Sequence, residues 1–133
     1  MLVERLWAAA RILYALFFLA TGIWILISVS TGALGAPVQP TREAAEFMQA
    51  LANARFVDPL MAASFVAGGA SLLFDRTAPL GIVLLAPSVA VILFFHLFLS
   101  GQYVWGPVVA GYLLLLAWRY RSAFLSLWTY RRT

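Results

Sequence analysis

The chain reads as an all-α membrane protein: a four-helix transmembrane bundle with an amphipathic extracytoplasmic helix between helices 1 and 2. Three observations point there. Four apolar stretches cover residues 6–29, 59–74, 79–99 and 105–118 with little charge inside them. The composition is 64% hydrophobic against about 45–50% for a soluble domain, so a water-soluble core would lack the polar surface to cover it. The ionised groups gather at the ends of the stretches. A span needs roughly 20 apolar residues, range about 17–25; the first and third stretches meet this and the second and fourth are at the short end. One bundle uses the whole length, so a single domain over residues 1–133 is expected.

The first stretch, Leu6 to Val29, is too long for the about 7–15 residues of a signal-peptide apolar region. Arg11 interrupts it, and although Ala33-Leu34-Gly35 loosely resembles a cleavage site, a retained helix is expected. Residues 31–40 are rich in Gly and Pro and read as a turn. Thr41-Arg42-Glu43 then has the form of a helix start, with Thr41 as N-cap and an acid in the first turn. Ala44, Phe47, Met48 and Leu51 repeat at helical spacing, with polar residues elsewhere around the helix. This predicts a surface helix, either a cap on the bundle or a lid over a ligand. Asp58-Pro59 opens the second span as N-cap and first helical residue. The tight Asp75–Pro79 turn makes the second and third helices antiparallel neighbours, and Ser100-Gly101-Gln102 turns the chain into the fourth. After Arg119, Phe124, Leu125, Leu127 and Trp128 alternate with Ser and Arg and suggest a short interfacial helix.

Four spans place both termini on one side. That side holds Arg5, Arg11, Arg76, Arg119, Arg121, Arg131 and Arg132; the other holds Arg42 and Arg55. Cytoplasmic loops carry the excess of basic residues, so both termini are expected in the cytoplasm. The net charge of +4 therefore meets lipid headgroups and not nucleic acid. Small residues at four-residue spacing, Ser64/Gly68 and Ala67/Ser71, allow close helix packing within the bundle or at a homodimer seam.

There is no Cys, which removes thiol–disulfide chemistry and thiolate metal sites from this chain. His96 is the lone histidine, too little for a metal site. It lies deep in an apolar segment and is either a neutral imidazole bonded to a neighbouring helix or a contact for a proton or ligand. Arg11 either snorkels to the inner headgroups or holds the polar head of a ligand. Arg11, Tyr14, Thr21 and Ser28 recur at three- and seven-residue intervals on one face of the first helix, a polar stripe directed at the bundle interior. With His96, these four are the candidate ligand-binding residues. Pro87 kinks the third span and frees the carbonyl of Val83, which Ser88 could cover. No catalytic set is recognisable: there is no carboxylate pair within a span, no Ser-His-Asp arrangement and no phosphate loop.

The stretches Pro79-Leu80-Gly81, Leu84-Leu85-Ala86-Pro87 and Phe95-His96-Leu97-Phe98-Leu99 resemble the third helix of DoxX-like membrane proteins. Gly68-Gly69-x-x-Leu72-Leu73-Phe74 and Arg11-x-Leu13 followed by Phe17-x-x-Ala20-x-Gly22 fit the same pattern, so the resemblance covers about residues 5–120. It implies a four-helix protein of the bacterial inner membrane, of a kind linked to quinone-side subunits of oxidoreductases and to oxidative-stress systems. Relatives often carry an acid before the second-span glycines, near Phe65, and an Asn near Val91; the chain has neither, so only His96 carries over. The function expected is an accessory or binding protein that holds a quinone-like ligand, a membrane protein partner or a second copy. The alternatives are a subunit of a quinone-linked oxidoreductase, or a small transporter or channel; activity on its own is not expected.

Overall fold

The computed structural model describes residues 1–33 and 38–128. Leu34 and Gly35 of the cleavage-like stretch, and Arg131 and Arg132, lie outside these residues. Among these described residues six α-helices follow in order: α1 (Leu2–Thr31), α2 (Arg42–Ala54), α3 (Val57–Leu73), α4 (Ala78–Phe94), α5 (Trp105–Arg119) and α6 (Arg121–Phe124). A 3-10 turn at Asp75–Thr77 precedes α4, and a π-helical turn, Phe95–Leu99, continues it. The fold is all-α.

By length and composition two helices can cross a membrane: Leu2–Thr31 with mean hydropathy 2.4, and the continuous Asp75–Leu99 with 2.6. Two more apolar pairs qualify when each is taken as one bent span. These are α2 with α3, bent by 90°, and α5 with the short helices after it, bent by 78°. Large apolar side chains face outward all round, among them Leu13, Trp24, Leu80, Leu114 and Trp118. An apolar exterior of this extent suits a lipid solvent and not water.

α1 packs along α3, α3 along α4 and α4 along α5. The core runs between them through Phe18, Phe65, Leu72, Leu85, Val89, Leu113 and Leu116. The crossings are set by absent side chains. A Cβ on Gly81 would lie 2.7 Å from the Gly68 carbonyl oxygen, and one on Gly69 would lie 2.9 Å from that of Ala15. At Gly22 a Cβ would meet that of Phe65 at 2.9 Å. Gly22, Gly68, Gly69 and Gly81 are thus spent inside the chain, on α1–α3 and α3–α4 contacts, where dispersion across close backbones holds helices together in lipid, whereas Ala67 stays exposed. Gly111 differs, with nothing within 4 Å of its missing Cβ.

α2 forms as its pattern requires: the Thr41 hydroxyl accepts from the Ala44 amide at 3.1 Å. The same hydroxyl donates to the Leu99 carbonyl, an orphan at the end of the π turn, which fixes α2 to α4. At the other end Arg55 takes a left-handed conformation (φ 61), where the chain turns sharply into α3. α3 begins one residue before Asp58, with Phe56 as its N-cap and no side-chain cap bond. Asp58 therefore stands in the first turn, where its charge still favours the helix dipole.

Candidate functional site

The polar groups fall into two regions at opposite ends. The first lies where the start of α1, the α3–α4 turn and the end of α5 meet. Arg11 is 6% exposed and does not snorkel. Its Nη1 donates to the carbonyl of Leu72 at 2.5 Å, capping the C-terminal end of α3, where unpaired carbonyls and the helix dipole both favour a cation. Its Nε has no hydrogen-bond partner, because the Asp75 carboxylate stands 4.0 Å away. Asp75 instead accepts from the Tyr120 hydroxyl. Burial, and then this bond, push the Tyr120 phenol up to about 12, so it stays a donor at any physiological pH. Arg119 pairs with Glu4 at 2.7 Å. Together with Trp7 these groups line a cleft of about 240 Å³.

One turn above Arg11, two tyrosines tie α1 to α5. Their rings stack with centroids 4.7 Å apart. Tyr14 donates to the Val109 carbonyl at 2.8 Å, and Tyr112 donates back to that of Ala10 at 2.7 Å. The exchange satisfies both phenols between two apolar helices. Outside it lies an apolar fissure of about 260 Å³, with Phe17 and Trp105 at its edge.

The second region is a groove of about 600 Å³ between α2, α3 and α4. Phe47 and Leu51 of α2 roof it, and Met61, Ala63, Ala67, Leu84, Pro87 and Val91 wall it. Its polar feature is a hydroxyl pair. Ser64 donates to the Leu84 carbonyl at 2.6 Å, and Ser88 donates to Ser64 at only 3.4 Å. The expected cover of the Val83 carbonyl by Ser88 is not what forms. Pro87 opens the backbone of α4, but the hydroxyl that reaches in comes from α3 and takes the next carbonyl along. A hydroxyl bond at 3.4 Å is well beyond the usual ~2.7–2.8 Å, so the Ser88 proton is weakly held and open to a better acceptor.

The five residues singled out in the sequence do not converge. Arg11, Tyr14 and Ser28 are buried on one face of α1, yet Arg11 and Ser28 stand about 25 Å apart along it. Thr21 is half-buried and donates to the Phe17 carbonyl of its own helix at 2.8 Å. His96 also bonds within its helix and not to a neighbour. Its Nδ1 meets the Ile92 carbonyl at 2.8 Å, and since a carbonyl only accepts, Nδ1 carries the proton. None of the five lines the groove. Ser64 and Ser88, which do, looked in the sequence like a packing residue and a kink repair. Ser64 beside Ala67 in the small-residue pattern of one helix, and Ser88 beside Pro87 in the next, was the available signal. Among the described residues no group of three or more His, Cys, Asp or Glu could hold a metal.

No family model, curated protein or solved structure matches the chain, so the DoxX-like resemblance rests on the quoted motifs alone. What sequence and fold establish together is a small all-helical protein with two to four candidate membrane spans.

Proposed function

We propose that this chain is an integral protein of the bacterial inner membrane that holds a hydrophobic, quinone-like ligand in the groove between α2, α3 and α4. In this reading α3 and α5 are the crossing arms of the two bent pairs, giving four spans with both termini in the cytoplasm. Supporting the orientation, Arg5, Arg11, Arg76, Arg119 and Arg121 belong to the end that carries the start of α1, the α3–α4 turn and the end of α5, and Arg42 and Arg55 to the α2 end. That is the asymmetry of the positive-inside rule. α2 then lies flat at the outer interface.

The observation that carries the ligand reading is the groove itself. Its ~600 Å³ falls within the range of small-molecule sites, about 300–1,000 Å³, and one weakly engaged hydroxyl stands in otherwise apolar walls. These residues fit a ring carbonyl with a prenyl tail: Ser88 would turn its one proton from Ser64 to the carbonyl, Ser64 would stay bonded to Leu84, and Phe47 and Leu51 would cover the ring. A quinone bound there would supply two-electron chemistry. The chain's own residues bind it, orient it and keep water out, and electrons come from a partner that the sequence does not contain.

Lipid extracts of detergent-purified protein provide the test. Wild type is expected to carry a quinone above its content in the surrounding membrane. Ala67→Phe, which fills the groove from an exposed position, should lower that several-fold. Equal retention by the two proteins rejects the groove as the site. A visible haem or flavin band in the purified protein would favour the oxidoreductase-subunit reading instead.

A further inference from the structure

The cleft at the arginine-rich end has no part in the groove reading, and it contains an unmet demand. Arg11 is a buried cation with five N–H donors. One donor caps Leu72, while Nε is enclosed and unbonded. A buried charge is costly unless it is paired and hydrogen-bonded. The nearest carboxylate, Asp75, is held off at 4.0 Å, largely solvent-exposed and turned to Tyr120. The depth is also informative. α1 is about 45 Å long, whereas α3 is about 26 Å. The α3–α4 turn, not the start of α1, therefore sets the membrane edge on this side. Arg11 is level with that turn and not in the middle of the hydrocarbon. Trp7 in the same wall is a residue type that favours headgroup depth.

The charges of the lining are balanced. Arg11 and Arg119 face Glu4 and Asp75, and the Tyr120 hydroxyl is already bonded to Asp75. A bare anion would meet two carboxylates; a bare cation would meet two guanidinium groups. A cleft of about 240 Å³ lies below the usual size for a whole small-molecule ligand and suits one compact polar group. From this arrangement we infer that the cleft binds a phosphate–ammonium zwitterion of the phosphoethanolamine type. The phosphate oxygens accept from Arg11 and Arg119, whose planar forks suit them, and the ammonium donates to Glu4 and Asp75. The zwitterion is either a lipid headgroup entering from the inner leaflet or the same group free in the cytoplasm. The inference rests on the membrane reading but not on the ligand in the groove.

The test is native mass spectrometry of the delipidated full chain in detergent. Phosphatidylethanolamine, phosphatidylcholine and phosphatidylglycerol with identical acyl chains are offered separately. Phosphatidylethanolamine should be retained about tenfold better than either, the equivalent of one charge-assisted hydrogen bond. Phosphatidylcholine keeps the charge but its quaternary ammonium cannot donate; phosphatidylglycerol lacks the cation. Glu4→Gln, on the rim of the cleft, should weaken the preference several-fold, because it removes a carboxylate that the ammonium meets; Arg119→Gln, and Arg11→Lys wherever circular dichroism shows it folded, should lower the retention of all three lipids. Ala67→Phe should leave the preference intact, which separates this site from the groove. Soluble glycerophosphoethanolamine distinguishes the source: displacement of bound lipid at millimolar levels assigns the site to the free group, and failure to displace assigns it to the lipid. Equal retention of the three lipids, a preference for phosphatidylglycerol, or an unchanged preference in Glu4→Gln overturns the inference.

Discussion

α1 has two neighbours, α3 and α5, and it meets them in opposite ways. Against α3 the backbones nearly touch, because Gly22 and Gly69 remove the side chains that would separate them. Against α5 the backbones stay apart and two tyrosines bridge them with reciprocal hydrogen bonds. Close backbones gain dispersion at the glycine crossings and leave no space there. A bridged seam is held at points, and a fissure remains beside it. The bundle is therefore tight through α1, α3 and α4 and comparatively open between α1 and α5.

The largest effect should come from filling the tight side. Gly81→Val places a side chain against the Gly68 carbonyl, where no flexible group can yield. Overpacking of this kind costs about 1–3 kcal/mol or more, so thermal unfolding in detergent should show a large loss or no folded protein at all. Gly111→Ala makes the contrast sharp: it meets open space and should gain up to about 1 kcal/mol from helix propensity. A comparable loss at both glycines would mean that close approach is not what distinguishes them.

The bridged seam should yield less and in a coupled manner. Tyr14→Phe and Tyr112→Phe each remove one hydroxyl donor, for about 1 kcal/mol apiece. Because the rings stack on each other, the double variant should differ from the sum of the singles, as groups in contact do. Strict additivity would make the two bonds independent. The smallest effect lies at the polar end and depends on pH. The folded state raises the Tyr120 phenol from 10.0 to about 12. Between these values the unfolded chain has lost the proton while the folded one keeps it, so stability falls as pH rises through the window. Melting temperatures followed from pH 9 to 12 should fall less steeply in Tyr120→Phe.

The apolar spans, the Thr41 cap and the two short turns were legible because they depend on residues close in sequence. The same is true of the polar face of α1, where Arg11, Tyr14 and Ser28 are buried together. What those groups bond to was not legible. Arg11 finds Leu72 and Tyr14 finds Val109, partners 61 and 95 positions away and both backbone carbonyls, which carry no side-chain signal. Snorkelling looked natural for Arg11 because the turn that shortens α3 and brings its last carbonyls level with the guanidinium belongs to another part of the chain. The groove escaped for a related reason. Its walls are ordinary apolar residues of three helices, and they form a cavity only because α2 leaves α3 at a right angle.

That right angle turns on Arg55, a residue with a Cβ in a backbone conformation that glycine or asparagine usually supplies. The corner acts like a carpenter's square, one arm along the lipid surface and the other driven inward. In a bilayer it would gauge depth from its own face alone, so a thicker or thinner membrane would shift the arginine-rich end while the cavity under the corner kept its distance from the α2 face.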